Sequence, residues 1–143
     1  MPEVHYSEII PVPKELLHSV IADYKKYPEF LTEIKQAKIV VQRPKTVDFE
    51  LELIKKFHYR LKFRETKDEI SWQLVESNLF KKNDGRWALT EIDKGQTEAH
   101  YYLDIDFGFL VPKFIVASLV EKDLPKMVSR FKKRAQEIAS RKK

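Results

Sequence analysis

Four histidines, two aspartates spaced by two and a set of tyrosines are the residues that could do more than pack. His5, His18, His58 and His100 are scattered along the chain. A metal site needs ligands that converge from separate elements and are held in place by hydrogen bonds behind them, and no such grouping is visible. His58 and His100 fall on the polar positions of alternating segments, so both are expected in solvent. Asp104 and Asp106 share one face of a strand, as paired carboxylates would, but they too follow the polar parity and are expected at the surface. With no cysteine, disulfides and thiolate metal sites are excluded. GxSxG, HExxH, phosphate-loop and dinucleotide glycine patterns are all absent, and the chain has only three glycines. No catalytic residue, metal or cofactor is expected.

The positive signal lies on the apolar positions. Tyr59, Trp72, Trp87 and Tyr101 are large side chains at strand spacing, and Phe114, Met127 and Phe131 follow at helical spacing. Two tyrosines thereby bring hydroxyls inward. Such a set is either solid core, in which buried Tyr and Trp find hydrogen-bond partners, or the wall of an apolar pocket with a few polar handles. Taken alone, the residues leave both open.

The elements that position these residues follow from periodicity. Val4–Ile10 is rich in β-formers and reads as a strand. Pro13 suits a first helical residue, since its missing N–H is not needed there. Leu16, Leu17, Val20, Ile21 and Tyr24 then form one face of an amphipathic helix. Pro28 disfavours helix at Tyr27, and a second short helix carrying Phe30, Leu31 and Ile34 is expected to restart at Pro28.

From Ala37 to Phe107 the period is two. Phe49, Leu51 and Leu53 alternate with acids, and Phe57, Tyr59, Leu61 and Phe63 alternate with His58, Arg60, Lys62 and Arg64. An odd loop, Ile54-Lys55-Lys56, would put Leu53 opposite Phe57 and keep one face apolar. Glu50 and Glu52 would then lie near Arg60 and His58. KKNDG (81–85) and DKGQ (93–96) read as turns. One apolar and one charged face implies an antiparallel sheet with a cover over its apolar side. That cover is the helical-period segment from Phe114 to Ile138. Pro125 should kink or break it near Lys122-Asp123, with Asp123 capping a fresh start.

At 143 residues one domain is expected, spanning 1–143. No run of about 18 apolar residues occurs. MPEVHYSEII shows no basic region leading into an apolar one, so a secretory leader is not expected and a cytoplasmic location is. From Lys132 onward the basic residues face a single acid, Glu137, and this segment accounts for the whole net charge of +5. Cations there complement a helix dipole. Alternatively, Arg60, Lys62, Arg64 and the tail Arg141–Lys143 would contact an anionic membrane or a macromolecular partner. The elbow helices mix acids and lysines, so sequence-specific DNA binding is not expected.

The segments IPVPKELLHSVIADYKKYPEFL, ISWQLVES, DGRWAL, GQTEAHYYLDID, VPKF and MVSRFKKRAQEI resemble the START-like, helix-grip (SRPBCC) superfamily. The nearest branch is that of polyketide cyclase/dehydrase and coenzyme Q-binding START-like proteins. Where members often carry a further proline after the apolar pair, this chain has Thr32. The resemblance implies an α+β fold, with a curved antiparallel sheet of about seven strands around a long C-terminal helix and two short helices after the first strand. It also implies a cavity between sheet and helix. Tyr27, Phe30 and Leu31 would form its rim, Tyr59, Leu61, Trp72, Trp87, Tyr101 and Leu103 its sheet wall, and Phe114, Met127 and Phe131 its helix wall. The expected function is binding or transport of a hydrophobic small molecule: a lipid, isoprenoid quinone or polyketide-like ring. A cyclase/aromatase-type enzyme and a protein docking through its basic surface are the alternatives.

Overall fold

The computed structural model describes residues 3–52, 56–108 and 111–141. Seven antiparallel strands form one sheet in the order β1-β7-β6-β5-β4-β3-β2. They are β1 (Glu3–Ile10), β2 (Ile34–Gln42), β3 (Lys45–Glu52), β4 (Lys56–Glu65), β5 (Glu69–Ser77), β6 (Lys82–Asp93) and β7 (Gln96–Asp106). Between β1 and β2 lie helix α1 (Lys14–Ile21) and a 3-10 helix, Tyr24–Glu29. After β7 come α2 (Lys113–Ser118), a π-helical turn (Leu119–Asp123) and α3 (Leu124–Arg141). The alternation read from the sequence holds on β7, where Thr97, Ala99, Tyr101, Leu103 and Ile105 are buried.

The sheet curls around α3, and ion pairs fix the helix at both of its edges. Lys132 Nζ donates to Glu8 on β1 at 3.0 Å. Arg130 Nη1 donates to both oxygens of Glu33, just before β2, at 3.1 and 2.7 Å. Arg134 reaches Glu29 at 2.7 Å. Inside this grip Phe131, 1% exposed, meets Tyr27, Phe30 and Trp87 edge-on at 5.1–5.3 Å between ring centres.

Several local expectations are corrected. No second helix starts at Pro28. Pro28 lies inside the 3-10 helix, and Ile34 already pairs with Leu51 as the first residue of β2. Sheet pairing of a β-branched residue outweighs its helical spacing. The β3–β4 hairpin sets Leu51, not Leu53, opposite Phe57, two residues from the expected register; Leu53 lies outside the described residues. A shift by two keeps every side chain on its face but changes the outer pairs. Glu50 faces His58, and Arg60 bonds both oxygens of Asp48.

Of KKNDG, Lys82 to Gly85 are strand rather than turn. The bend falls earlier, where Ser77 Oγ accepts from the N–H groups of Leu79 and Phe80 at 2.9 and 3.1 Å. Asn83 and Asp84 have strand work to do, accepting from the Trp72 indole and from the Leu74 N–H. Gly85 is needed because a Cβ there would stand 2.5 Å from both the Trp72 ring and the Tyr102 carbonyl.

The regular α-helix is interrupted next to Pro125, as expected near Lys122-Asp123, but by a π turn rather than by a fresh start capped by Asp123. The chain absorbs the proline through the π turn, in which Leu124 N–H donates to Leu119 O. Continued for one residue, this pattern would have Pro125 serve Val120 O, and proline has no N–H to give. The Tyr6 hydroxyl of β1 supplies that bond at 3.0 Å. No helix among the described residues is long and apolar enough to cross a membrane.

Candidate functional site

A cavity of about 140 Å3 lies between the concave sheet face, the 3-10 elbow and the π turn with α3. Its sheet wall includes Tyr59 and Leu61 from β4, Trp72 from β5, Trp87 from β6, and Tyr101 and Leu103 from β7. Tyr27 and Leu31 close the elbow side, and Met127 and Phe131 the helix side. These are the expected residues, brought together by strand parity. Two expected positions do not line the space. Phe30 packs behind the wall, stacked edge-on to Phe131, with the Arg134 guanidinium 5.3 Å over its ring. Phe114 is 64% exposed. A π turn inserts one residue into the helical repeat, which rotates the inward face by about 100°. Ile115 and Leu119 therefore point inward on one side of the turn, and Asp123, Met127 and Phe131 on the other. A uniform helical period had included Phe114.

Sequence reasoning missed four polar residues of the lining: Glu33, Asn83, Asp123 and Arg130. Glu33 counts among the acids of the elbow's polar face, Asn83 reads as a turn residue and Asp123 as a helix cap, and Arg130 is not singled out by the sequence. Only the π turn and the early start of β6 turn the last two inward. Glu33 and Asp123 have opposed acidities. Burial pushes Glu33 up, but hydrogen bonds from Thr32 and Arg130 outweigh it and hold the carboxyl below the usual range. Burial pushes Asp123 above its usual value, and the Glu33 charge adds to the rise. Charged groups thus enter a lining in which strand parity alone places only tyrosine hydroxyls as polar groups.

The tyrosines divide into two kinds. Tyr27 OH donates to Ile21 O at 2.5 Å and Tyr24 OH to Glu65 at 2.7 Å. Tyr59 and Tyr101 have no hydrogen-bond partner among the described residues; their rings pack on Phe49 and Phe80, and on Trp72 and Trp87. Burial pushes both hydroxyls above the ordinary tyrosine value, so both keep their protons at neutral pH.

The family model for polyketide cyclase / dehydrase and lipid transport proteins matches residues 10–132. The chain belongs to this family. As a family member it has the START-like helix-grip fold that its sequence resembles. A START superfamily protein from Mycobacterium smegmatis is 19% identical, with a TM-score of 0.83 over 95% of this chain and 98% of that one. A protein of Thermus thermophilus is 15% identical, with a TM-score of 0.84 over 96% and 99%. The Zhui aromatase/cyclase from Streptomcyes sp. R1128 is 13% identical, with a TM-score of 0.83 over 94% and 93%. At these identities the likeness is one of fold. The search of curated proteins returned no match.

The outer sheet face is different. His5 and His100 share a hydrogen bond at 3.0 Å, and His5 stacks on Tyr102 at 4.3 Å. Asp104 takes a bond from Lys82 at 2.6 Å. Arg60 is engaged by Asp48, which leaves Lys62 and Arg64 of the expected basic row without an acidic partner among the described residues. In the tail, Lys142 and Lys143 lie outside the described residues.

Proposed function

We propose that this family member binds a hydrophobic small molecule in the cavity between sheet and C-terminal helix. The observation that carries the reading is the pair of protonated hydroxyls of Tyr59 and Tyr101, without hydrogen-bond partners among the described residues, on the aromatic and aliphatic sheet wall of this space. A buried polar group left without a partner costs stability, and an occupant offering hydrogen bonds would recover it. Apolar surface removed from water would supply affinity at roughly 25 cal/mol per Å2, before the costs of association. Native mass spectrometry of protein purified from cells, with a thermal-shift screen of quinones, lipids and aromatic ketones, tests the reading. A retained or stabilising hydrophobic ligand is expected. An empty protein that no compound stabilises would refute it.

A second reading is favoured by one observation, the half-buried Asp123, whose pKa burial raises, beside the Glu33–Arg130 pair. A carboxyl poised nearer neutrality suits general acid–base work, as an enzyme of the cyclase/dehydrase kind would need. In that case Asp123→Asn abolishes turnover while ligand binding persists. Equal turnover in the two proteins would exclude it.

A further inference from the structure

The outer face of the sheet carries a groove of about 780 Å3 that crosses β4, β5, β6, β7 and β1. Strand register arranges its floor in rows. Arg64 on β4 stands directly opposite Ser71 on β5, and Ser71 opposite Arg86 on β6. The row continues through Tyr102 on β7 to His5 on β1. Lys62 and Gln73 form the neighbouring pair beside Arg64 and Ser71. Pairing of β5 with β6 ends at Trp72 and Gly85, and Asp84 accepts from the Leu74 N–H across the gap at 3.1 Å.

Lys62, Arg64 and Arg86 differ from other cations of this face. Arg60 is held by Asp48 and Lys82 by Asp104, whereas no acid among the described residues forms an ion pair with these three. Arg64 and Arg86 are two strand spacings apart, about 10 Å, and Lys62 lies two residues from Arg64. The three charges are thus separated by close to one Debye length, and like charges facing one another on a sheet are destabilising. An anion above Ser71 would remove that repulsion. The parts of a cradle are in place there. The Tyr102 ring, itself stacked on His5, holds the Arg86 guanidinium at 4.2 Å. Arg64 adds a second guanidinium, and the Ser71 hydroxyl between them makes no hydrogen bond among the described residues. Guanidinium groups match phosphate oxygens two at a time.

The other end of the groove has the opposite sign, with Glu3, Asp84 and Asp104 in its lining. A nucleic-acid strand or an anionic bilayer laid along it would lose against these carboxylates what it gained from the cations. A small ligand with one anionic end and hydroxyls to donate at the other matches both. The volume lies within the range of about 300–1,000 Å3 usual for small-molecule sites.

We propose that this groove is a second binding site, for a phosphate monoester carried on a small polyol. Arg64, Arg86 and Lys62 hold the phosphate, and the hydroxyls face Glu3 and Asp84. The inference does not depend on what fills the cavity on the inner face. Calorimetric titration of the intact protein with glucose 6-phosphate, glucose, inorganic phosphate, a single-stranded oligoadenylate and phosphatidylglycerol vesicles tests it. Glucose 6-phosphate should bind more tightly than glucose or inorganic phosphate by roughly tenfold or more. Arg64→Gln and Arg86→Gln should each weaken it by about tenfold, as loss of a charge-assisted hydrogen bond does. Lys94→Gln, which removes the same charge from the exposed β6–β7 turn, should leave the affinity unchanged. Without ligand, both arginine variants should melt at the wild-type temperature or above it, because each relieves a repulsion; this also shows that they fold. A clear fall in melting temperature would mean that these cations serve the fold, and would overturn the proposal. Equal binding of inorganic phosphate and glucose 6-phosphate would mean an adventitious ion only. Tighter binding of the oligonucleotide or the vesicles would mean a macromolecular surface, and an affinity indifferent to Arg64 and Arg86 would mean another site. Each of these results, like the absence of any binding, would overturn the proposal.

Discussion

The two faces of one sheet treat their polar groups in opposite ways. On the outer face, neighbours on adjacent strands pair, Arg60 with Asp48, Lys82 with Asp104 Oδ2 and His5 with His100, and Asp104 Oδ1 is the enclosed atom left without a partner among the described residues. On the inner face, Tyr59, Tyr101, Asn83 and Trp87 keep donors from which no described residue accepts. Water can solvate an outer group whose partner is lost, so pairing there adds little. An inner group has no such recourse. Unpaired donors on the face that can least bear them point to a site whose occupant completes it.

The largest effect should come from removing the ring against which the inner face closes. Phe131→Ala should cost about 3–5 kcal/mol, as truncation of buried aromatics does, and is measured by denaturant unfolding. A loss below about 1 kcal/mol would mean that the helix side is loosely packed. Next is Gly85→Ala, whose methyl must displace the Trp72 ring or the Tyr102 backbone. Overpacking of this kind costs about 1–3 kcal/mol, and near-UV circular dichroism should report a disturbed tryptophan.

A finer test sets tyrosine against tyrosine. Tyr6→Phe and Tyr27→Phe each strand a backbone carbonyl, of Val120 and Ile21, and should each cost about 1 kcal/mol. Tyr59→Phe and Tyr101→Phe strand nothing and should leave the stability of the empty protein unchanged or slightly raised. Equal losses in all four would erase the contrast between satisfied and unsatisfied hydroxyls.

Asp123 predicts a pH dependence. Its folded-state pKa is raised, so the native protein holds this proton more tightly than the unfolded chain. The contribution to stability therefore falls as pH rises from the ordinary aspartate value through the raised one, and stays unfavourable above it. Asp123→Asn should raise the melting temperature at pH 7, and the gain should shrink as pH is lowered through the raised pKa. Glu33, held low, has the opposite sign: its contribution is present near neutrality and is lost as pH falls through its depressed pKa. The smallest effect belongs to the outer face. Breaking the half-buried Asp48–Arg60 pair at the sheet surface by Asp48→Asn should move the melting temperature least, and the difference should shrink at high salt.

The sequence by itself determined the face of each strand. A period of two fixes which side chains share a side, so Tyr59, Trp72, Trp87 and Tyr101 fall together by parity alone, and the shift of two in the β3–β4 register leaves that placement intact. It also determined that a helix would cover them, because the period changes after Gly108. The tertiary structure alone decided which polar groups enter the cavity. Asn83 faces inward because its carbonyl answers the Trp72 indole, a contact between strands that local turn preference does not foresee. Asp123 faces inward, and Phe114 outward, because Pro125 is absorbed by one inserted residue, with the Tyr6 hydroxyl of a strand distant in sequence satisfying the carbonyl that the proline cannot serve. Periodicity is local and survives in the sequence, whereas the satisfaction of a buried polar group depends on partners that only the folded chain brings within reach.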